Sequence, residues 1–486
     1  MDRSEVAARV ESLLPVGVRP RQLSVRALLT GMLLTQADHR PAHLTRVHQA
    51  LLGLCEDDRA RLGIVARWPS GPHTLTYRQV EYTFGLVDAA LARTTPSGAP
   101  SEALAGVADA LLEASVPEAC KGASSSYAVD WTDHETFSCP PVETGGDCAD
   151  PEASWGHRRG DGPGQRDELF FGYYLQVATM VRKEDGPPVP ELARRILLTS
   201  CHIDPPPAFL SVMASMAASG VVVGDVLGDS GYAHRVAANW ALPLRQMGAS
   251  LVMDLHPTDR GPKGTFAGAT ISNGNLYCPM TPTALLGMAP LARGATKEET
   301  AAHDRKTAEA SHYKLGRISA TDSDGYHRVA CPATRGKVRC PLRPSSMAAS
   351  HERPEVLTPP ENPPTCCTQA TVTVPPVVNA KTAQKHDYPG ASWRASYARR
   401  SAAERTNSTV KDPASNDTTR GWCRLMGLSA ITLFLACTFI VRNERVLVAF
   451  SAREREDARR AGRGLEPKTR RRRRKTLADL AEGAPA

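Results

Sequence analysis

The chain has 486 residues, enough for roughly two to four domains. Hydrophobic residues make up 41%, enough for a sizeable core, which excludes a wholly disordered chain. The formal charge is +8, and residues 453–475 account for all of it, with twelve Lys or Arg against four Asp or Glu, so no global field draws the body of the chain to nucleic acid. Aromatics are scarce at 5%, and 38 Pro and 37 Gly indicate loop-rich stretches. The opening MDRSEVAARVESLL is charged and amphipathic and does not read as a signal peptide. The 12 cysteines therefore read as reduced thiols or metal ligands.

Residues 1–115 read as an all-α domain. Arg21–Leu34 and Leu44–Leu54 space apolar residues by three and four, and Thr74 or Thr76 caps a helix through YRQVEYTFGLVDAALA. Arg19, Arg21, Arg26 and Arg46 suggest a basic face, although an ordinary helical domain fits the same pattern. Pro96–Ser101 is a linker or turn. Strands are then expected at Tyr127–Trp131, Leu169–Val181 and Arg194–Ile203, with a polar, Gly-rich stretch between the first two. A helix closed by Gly220 follows, then a strand at Val221–Val226. A helix interrupted by Pro243 leads to a last strand at Ala249–Leu255.

Residues 256–390 are too long for a loop inside a compact domain and read as an insertion. Cys278, Cys331, Cys340, Cys366 and Cys367 lie in it and are candidate zinc ligands, with His327 or His386 as alternates. Their spacing contains no CxxC pair, so unlinked thiols remain the competing reading. Leu425–Val441 is uncharged for 17 residues, short of the ~20 needed to span a bilayer, so a buried helix is expected and no membrane contact. From Ser451 the chain reads as a basic, disordered tail; its Arg470–Lys475 run is either a nonspecific DNA clamp or a solvated tail.

Two strand-associated carboxylates stand out. Asp130 interrupts the apolar strand YAVDW, where a carboxylate is costly unless paired or metal-bound. Asp133 is its rival, expected to be solvated. Asp229, in GDSGYAHR, follows the fourth strand, where open α/β sheets gather ligands, with Asp225 as rival. The third feature is YARRSAAERTNSTVK. Its Tyr397, Arg400, Glu404 and Lys411 form Tyr-x2-Arg-x3-Glu-x6-Lys and fall within about 60° of arc on one helix face. A solvated face with an Arg400–Glu404 pair is the plainer alternative.

This spacing resembles the Tyr-Arg-Glu-Lys signature of bacterial insertion-sequence transposases with an Asp-Asp-Glu active site. DPEASWGHR, DSGYAHR, LHPTDRGPKGT and QKHDYP are similar to phrases of actinobacterial members. The resemblance covers about residues 125–255 and 390–450. It implies an α/β, ribonuclease H-like catalytic core (β-β-β-α-β-α-β-α), with the first part in 125–255, the insertion at 256–390 and the last part in 391–450. It implies Asp130, Asp229 and Glu404 as catalytic ligands of two Mg²⁺ or Mn²⁺ ions. Arg400, Lys411 and Tyr397 would contact DNA phosphates or a base, with Asn407 as a minor contact. The expected activity is cleavage of the element's terminal inverted repeats and strand transfer to target DNA, by a homodimer on DNA, in the cytoplasm at the bacterial nucleoid. Residues 1–115 would bind the element ends. The alternatives are a ribonuclease H-like nuclease without strand transfer, and a catalytically dead DNA-binding derivative.

Overall fold

The computed structural model describes residues 2–16, 21–64, 75–92, 98–143, 146–158, 166–292 and 294–467. The chain divides into two compact units, Met1–Asn443 and Glu444–Ala486. The first is mixed α/β.

It begins with helices: α1 (Val6–Leu13), α2 (Val25–Ala37), α3 (Leu44–Leu52), α4 (Glu56–Arg61), α5 (Tyr77–Leu91), α6 (Glu102–Ala114) and α7 (Glu118–Lys121). Short polar side chains set several starts. Ser24 Oγ accepts from Ala27 N–H at 3.2 Å and Ser101 Oγ from Leu104 N–H at 3.1 Å, relieving amides with no partner inside the helix. Thr76 starts α5, and its own N–H donates to Gln79 Oε1 at 2.8 Å. The expected basic face is largely spent internally. Arg21 pairs with Glu11 at 3.0 Å and Arg26 with Asp2 at 2.6 Å, while Arg46 donates to Gln49 at 2.7 Å. Arg19, Thr74 and Pro96 lie outside the described residues.

Next come β1 (Ser126–Glu135), β2 (Ser154–Arg158), β3 (Glu168–Val181), β4 (Ala193–Ser200), α8 (Pro205–Ala218), β5 (Asp225–Gly228), α9 (Ser230–Ala233), α10 (Ala241–Gln246) and β6 (Ser250–Met253). These six strands form one mixed sheet. β1 is antiparallel to β3 and parallel to β5, and β5 is parallel to β6. On the other edge of β3, β2 pairs with Glu168–Gly172 and β4 with Tyr173–Thr179. With β2 set aside, the path through the sheet is thus β4-β3-β1-β5-β6.

The insertion is folded. It holds β7 (Pro262–Phe266), β8 (Ala269–Ser272), β9 (Asn275–Tyr277), α11 (Lys297–Tyr313), β10 (Gly316–Arg317), β11 (His327–Ala330), α12 (Thr365–Thr368) and β12 (Val372–Val374). Two three-stranded antiparallel sheets result, β7-β8-β9 and β10-β11-β12. The chain then runs through α13 (Ala391–Tyr397) and α14 (Ser401–Lys411) to α15 (Leu428–Ala461).

One apolar core joins the first helices, β3, β4 and the start of α15, through residues such as Leu28, Val107, Val177, Ile196, Ile431 and Phe434. Leu428–Asn443 is buried all round, so this stretch of α15 is a core helix. Its last two residues are polar and buried, and both are hydrogen-bonded, although Arg442 Nε has no partner. Arg442 donates to Glu191 O and to Thr406 Oγ1. The Asn443 amide exchanges two 2.9 Å hydrogen bonds with the Ala193 backbone, closing the start of β4. A second apolar cluster sets Ala128, Leu227 and Val252 against Trp393, Ala402 and Ala403, which seats α13 and α14 on β1, β5 and β6. No helix among the described residues is long and apolar enough to cross a membrane.

Several expectations need correcting. β5 begins at Asp225; Val221–Val223 is apolar but lies in a loop, with Val222 71% exposed. SWGHR in the polar stretch is a strand, β2. The stretch from Tyr397 to Lys411 is two helices joined by a 3-10 turn at Ala398–Arg400, where continuous α-helix is expected. The segment around Pro243 is a 3-10 turn, Ala237–Asn239, followed by short α10. Ser451–Ala461 continues α15 and is helical, whereas disorder is expected from Ser451; Arg470–Lys475 lies outside the described residues.

Candidate active site

Three parts of the chain converge at one end of the parallel strands. β1 supplies Asp130, the turn after β5 supplies Asp229, and α14 supplies Glu404. Arg400 stands between them. Its guanidinium lies 3.5 Å from Asp130 Oδ1, 3.5 Å from Asp229 Oδ2 and 2.6 Å from Glu404 Oε1. One fixed cation thus neutralises carboxylates 270 and 171 residues away in sequence, besides its own i+4 neighbour.

The local chain explains the placement of Asp229. It starts α9, and its Oδ1 accepts from Gly231 N–H at 2.9 Å and Tyr232 N–H at 3.4 Å. That fixes the carboxylate and leaves Oδ2 facing Arg400. Gly231 is required by space: a Cβ there would sit 2.3 Å from the Trp131 ring. Tyr232 is fully buried, with its ring centroid 4.7 Å from those of both Trp131 and Trp240. The Asp-x-Gly-Tyr sequence therefore anchors the turn against β1.

The three carboxylates differ in exposure, with 13% of the Asp130 side chain, 33% of Asp229 and 54% of Glu404 open to solvent. Burial pushes the Asp130 carboxyl up to about 7; Arg400 opposes this, and the charges of Asp229 and Glu404 add to it. Asn407 Nδ2 donates to Asp130 Oδ2 at 3.2 Å, so Asn407 touches the first carboxylate directly.

Asp133 is not solvated, contrary to expectation. It accepts from Arg158 at 2.6 Å and Lys411 at 2.8 Å. Burial would raise its carboxyl, but those two cations hold it down at about 2. Lys411 is thus tied to β1 two turns beyond Glu404. Tyr397 stacks on Trp393, with centroids 4.7 Å apart and planes at 15°, which occupies one face of its ring. Asp225 is buried away from the three carboxylates' shared cation. It pairs with Lys385 at 2.9 Å and Arg399 at 3.0 Å.

That last pair is a feature the sequence does not disclose. Arg399 is buried, and besides Asp225 it donates to Ser126 Oγ, Arg182 O and both oxygens of Ser396. It ties the turn before α14 to β5 and β1. A second unforeseen group is His234, His256 and Asp259. Among the described residues it alone brings three His, Cys, Asp or Glu ligand atoms within 4.8 Å of one another. Lys381 already neutralises Asp259 at 2.7 Å. Asp130, Asp229 and Glu404 surround Arg400 more openly than that.

The five insertion cysteines are all buried and unbridged. Four of them, Cys278, Cys331, Cys340 and Cys367, line one small cavity, and neither His327 nor His386 does. His386 pairs with Glu184 at 2.7 Å.

Compared with known proteins, the chain matches no family model, no curated protein and no solved structure.

Proposed function

We propose that the chain is a DNA transposase with an Asp-Asp-Glu site on a ribonuclease H-like core. The observation that carries this reading is the convergence of Asp130, Asp229 and Glu404 on the single Arg400 guanidinium. The sheet path β4-β3-β1-β5-β6, with β1 beside β5 and α14 across them, supports the core assignment.

The residues suit Mg²⁺ or Mn²⁺. All three are hard oxygen donors. Asp229 has one oxygen fixed by backbone amides and the other directed inward. Asp130 is buried enough that its ionised form needs a cation. Arg400 meets that need here. Two bound ions would supply an activated oxygen nucleophile and stabilise the departing oxygen. The chain's own residues do the rest. Asn407 orients Asp130, Lys411 and Asp133 hold α14 on β1, and Arg400 is placed to move from carboxylate to a DNA phosphate as cations enter. Cleavage exchanges a phosphodiester P–O bond for one to water oxygen and frees a 3′-hydroxyl. Strand transfer exchanges a target P–O bond for one to that hydroxyl.

The test uses DNA carrying the sequences that flank this coding region. With Mg²⁺ the chain should nick that DNA and join its 3′ ends to a second duplex. Glu404→Gln should bind the same DNA and do neither. Nicking without joined product would favour the nuclease reading. Binding without nicking would favour the dead derivative. Cleavage by Glu404→Gln would remove the site assignment.

A further inference from the structure

We infer that Cys278, Cys331, Cys340 and Cys367 form a four-thiolate zinc site that closes the insertion. The four are spread through the insertion, yet all line one cavity of about 10 Å³. Cys278 follows β9, Cys331 follows β11, Cys340 lies in the loop beyond, and Cys367 is on α12. One occupant would therefore tie together the ends of both small sheets and the helix leading into β12.

Buried thiols alone have a plainer explanation, since an unreactive cysteine fills a core as a small apolar side chain. Cys278, Cys331 and Cys340 do sit in an apolar cluster with Tyr277, Tyr313 and Val338. Two features go beyond that. The cavity's remaining walls are mostly apolar, so its sulfurs are the atoms there suited to hold a soft cation. Burial pushes the Cys278 and Cys331 thiols up, and backbone amides at both sulfurs oppose it. The Met280 N–H is directed at Cys278 Sγ, and the N–H groups of Ala333 and Thr334 at Cys331 Sγ. Each is a Cys-Pro turn. Pro332, at φ −61° and ψ −28°, bends the chain so that the following amides point back at the sulfur. A neutral thiol is a weak acceptor and gains little from such donors, whereas a metal-bound thiolate uses them.

Arg343 lines the same cavity and offsets part of the charge of four thiolates. Cys366 does not line it; its Sγ is 4.0 Å from that of Cys367, and both cysteines pack in the neighbouring cluster with Val329 and Val374. A closed shell has Zn–S bonds of about 2.3 Å. Loading draws the sulfurs inward, because no three of them have atoms within 4.8 Å of one another.

The full chain, purified without chelator, should carry about one zinc per molecule, because structural sites bind tightly. Cys331→Ser should lose it, and Cys366→Ser should keep it. Should Cys331→Ser fail to fold, the unmutated chain decides. After zinc is stripped, Co²⁺ should give the intense near-ultraviolet thiolate-to-cobalt absorption and the red d–d bands of a tetrahedral site. Less than about 0.2 zinc per chain together with no cobalt spectrum would overturn the site, and so would full zinc retention in Cys331→Ser. These readings are independent of DNA cleavage.

Discussion

The Arg400 guanidinium lies 3.5 Å from the Asp130 carboxylate across 270 residues of chain. The same guanidinium reaches Asp229 and Glu404, so without metal it occupies the electrostatic role that divalent cations would take. Removing it has opposite effects on two measurements. Arg400→Ala leaves the buried Asp130 and the partly exposed Asp229 without their shared cation, which should destabilise the metal-free chain by about 2–4 kcal/mol. The same change removes a competitor for the site, so Mn²⁺ should bind about tenfold more tightly, one coupling of ~1.4 kcal/mol. Calorimetric titration and denaturant unfolding of one preparation check both. Weaker Mn²⁺ binding in Arg400→Ala would contradict the substitution of cation for cation.

Asp130 gives the site a pH dependence. Its folded-state carboxyl sits near 7 because of burial, against an unfolded value near 3.8. Between those values the native chain holds more protons than the unfolded one, so stability falls as pH rises. In chelator, the contribution should decline from about pH 4 and level off above about pH 7, by up to about 4 kcal/mol. Asp130→Asn should flatten that part of the profile and stabilise the metal-free chain at pH 8. Mg²⁺ needs the ionised form, so its affinity should climb about tenfold per pH step below 7 and then plateau. Affinity independent of pH between 5.5 and 7 would count against Asp130 as a ligand.

What the sequence disclosed follows from how local each signal is. Asp130 was legible because a charge inside YAVDW has an immediate cost, whatever the tertiary fold. β3 and β4 were legible as apolar, β-branched runs. β2 was not, since five residues with Gly156 in the middle give too little alternation. Val221–Val223 misplaced β5 because hydrophobicity alone does not distinguish a strand from the loop that feeds it. The break at Ala398–Arg400 leaves no sequence signal, because a single 3-10 turn barely shifts the phase of side chains around a helix. Arg399 and Asp225 lie 174 residues apart, with nothing local to link them. The convergence of four cysteines from separate turns was equally hidden; only their presence in one insertion was visible.

Gly231 offers a test of the Asp229 turn. A Cβ at this position would lie 2.3 Å from the Trp131 ring, so Gly231→Ala forces the turn away from β1. Overpacking of this kind costs about 1–3 kcal/mol. The Gly231 N–H also holds Asp229 Oδ1, so Mg²⁺ affinity should fall with stability. Trp131→Leu in the same chain opens the space and should restore part of both losses. Equal losses in the single and double variants, measured by thermal unfolding with and without Mg²⁺, would show that the ring is not the obstacle.

The Arg399–Asp225 pair should matter for stability although neither residue contacts the three carboxylates' shared cation. Burial would raise the Asp225 carboxyl, but hydrogen bonds from Lys385 and Arg399 hold it below its ordinary value. A depressed carboxylate stabilises the fold above its unfolded value, and that stability is lost as pH falls through the folded one. Asp225→Leu strands the buried Arg399 and should cost about 3–5 kcal/mol. Arg399→Met alone should cost less, since Asp225 keeps Lys385 at 2.9 Å. The double variant replaces both charges by apolar groups of similar bulk and leaves Lys385 its Glu184 partner at 3.0 Å. It should recover at least about 1 kcal/mol relative to the sum of the single changes. Because Arg399 anchors the turn before α14, amide exchange in residues 398–405 should quicken in Arg399→Met more than in β3 or β4. Uniform quickening across the sheet would assign the pair to global stability alone and leave the placement of Glu404 to other contacts.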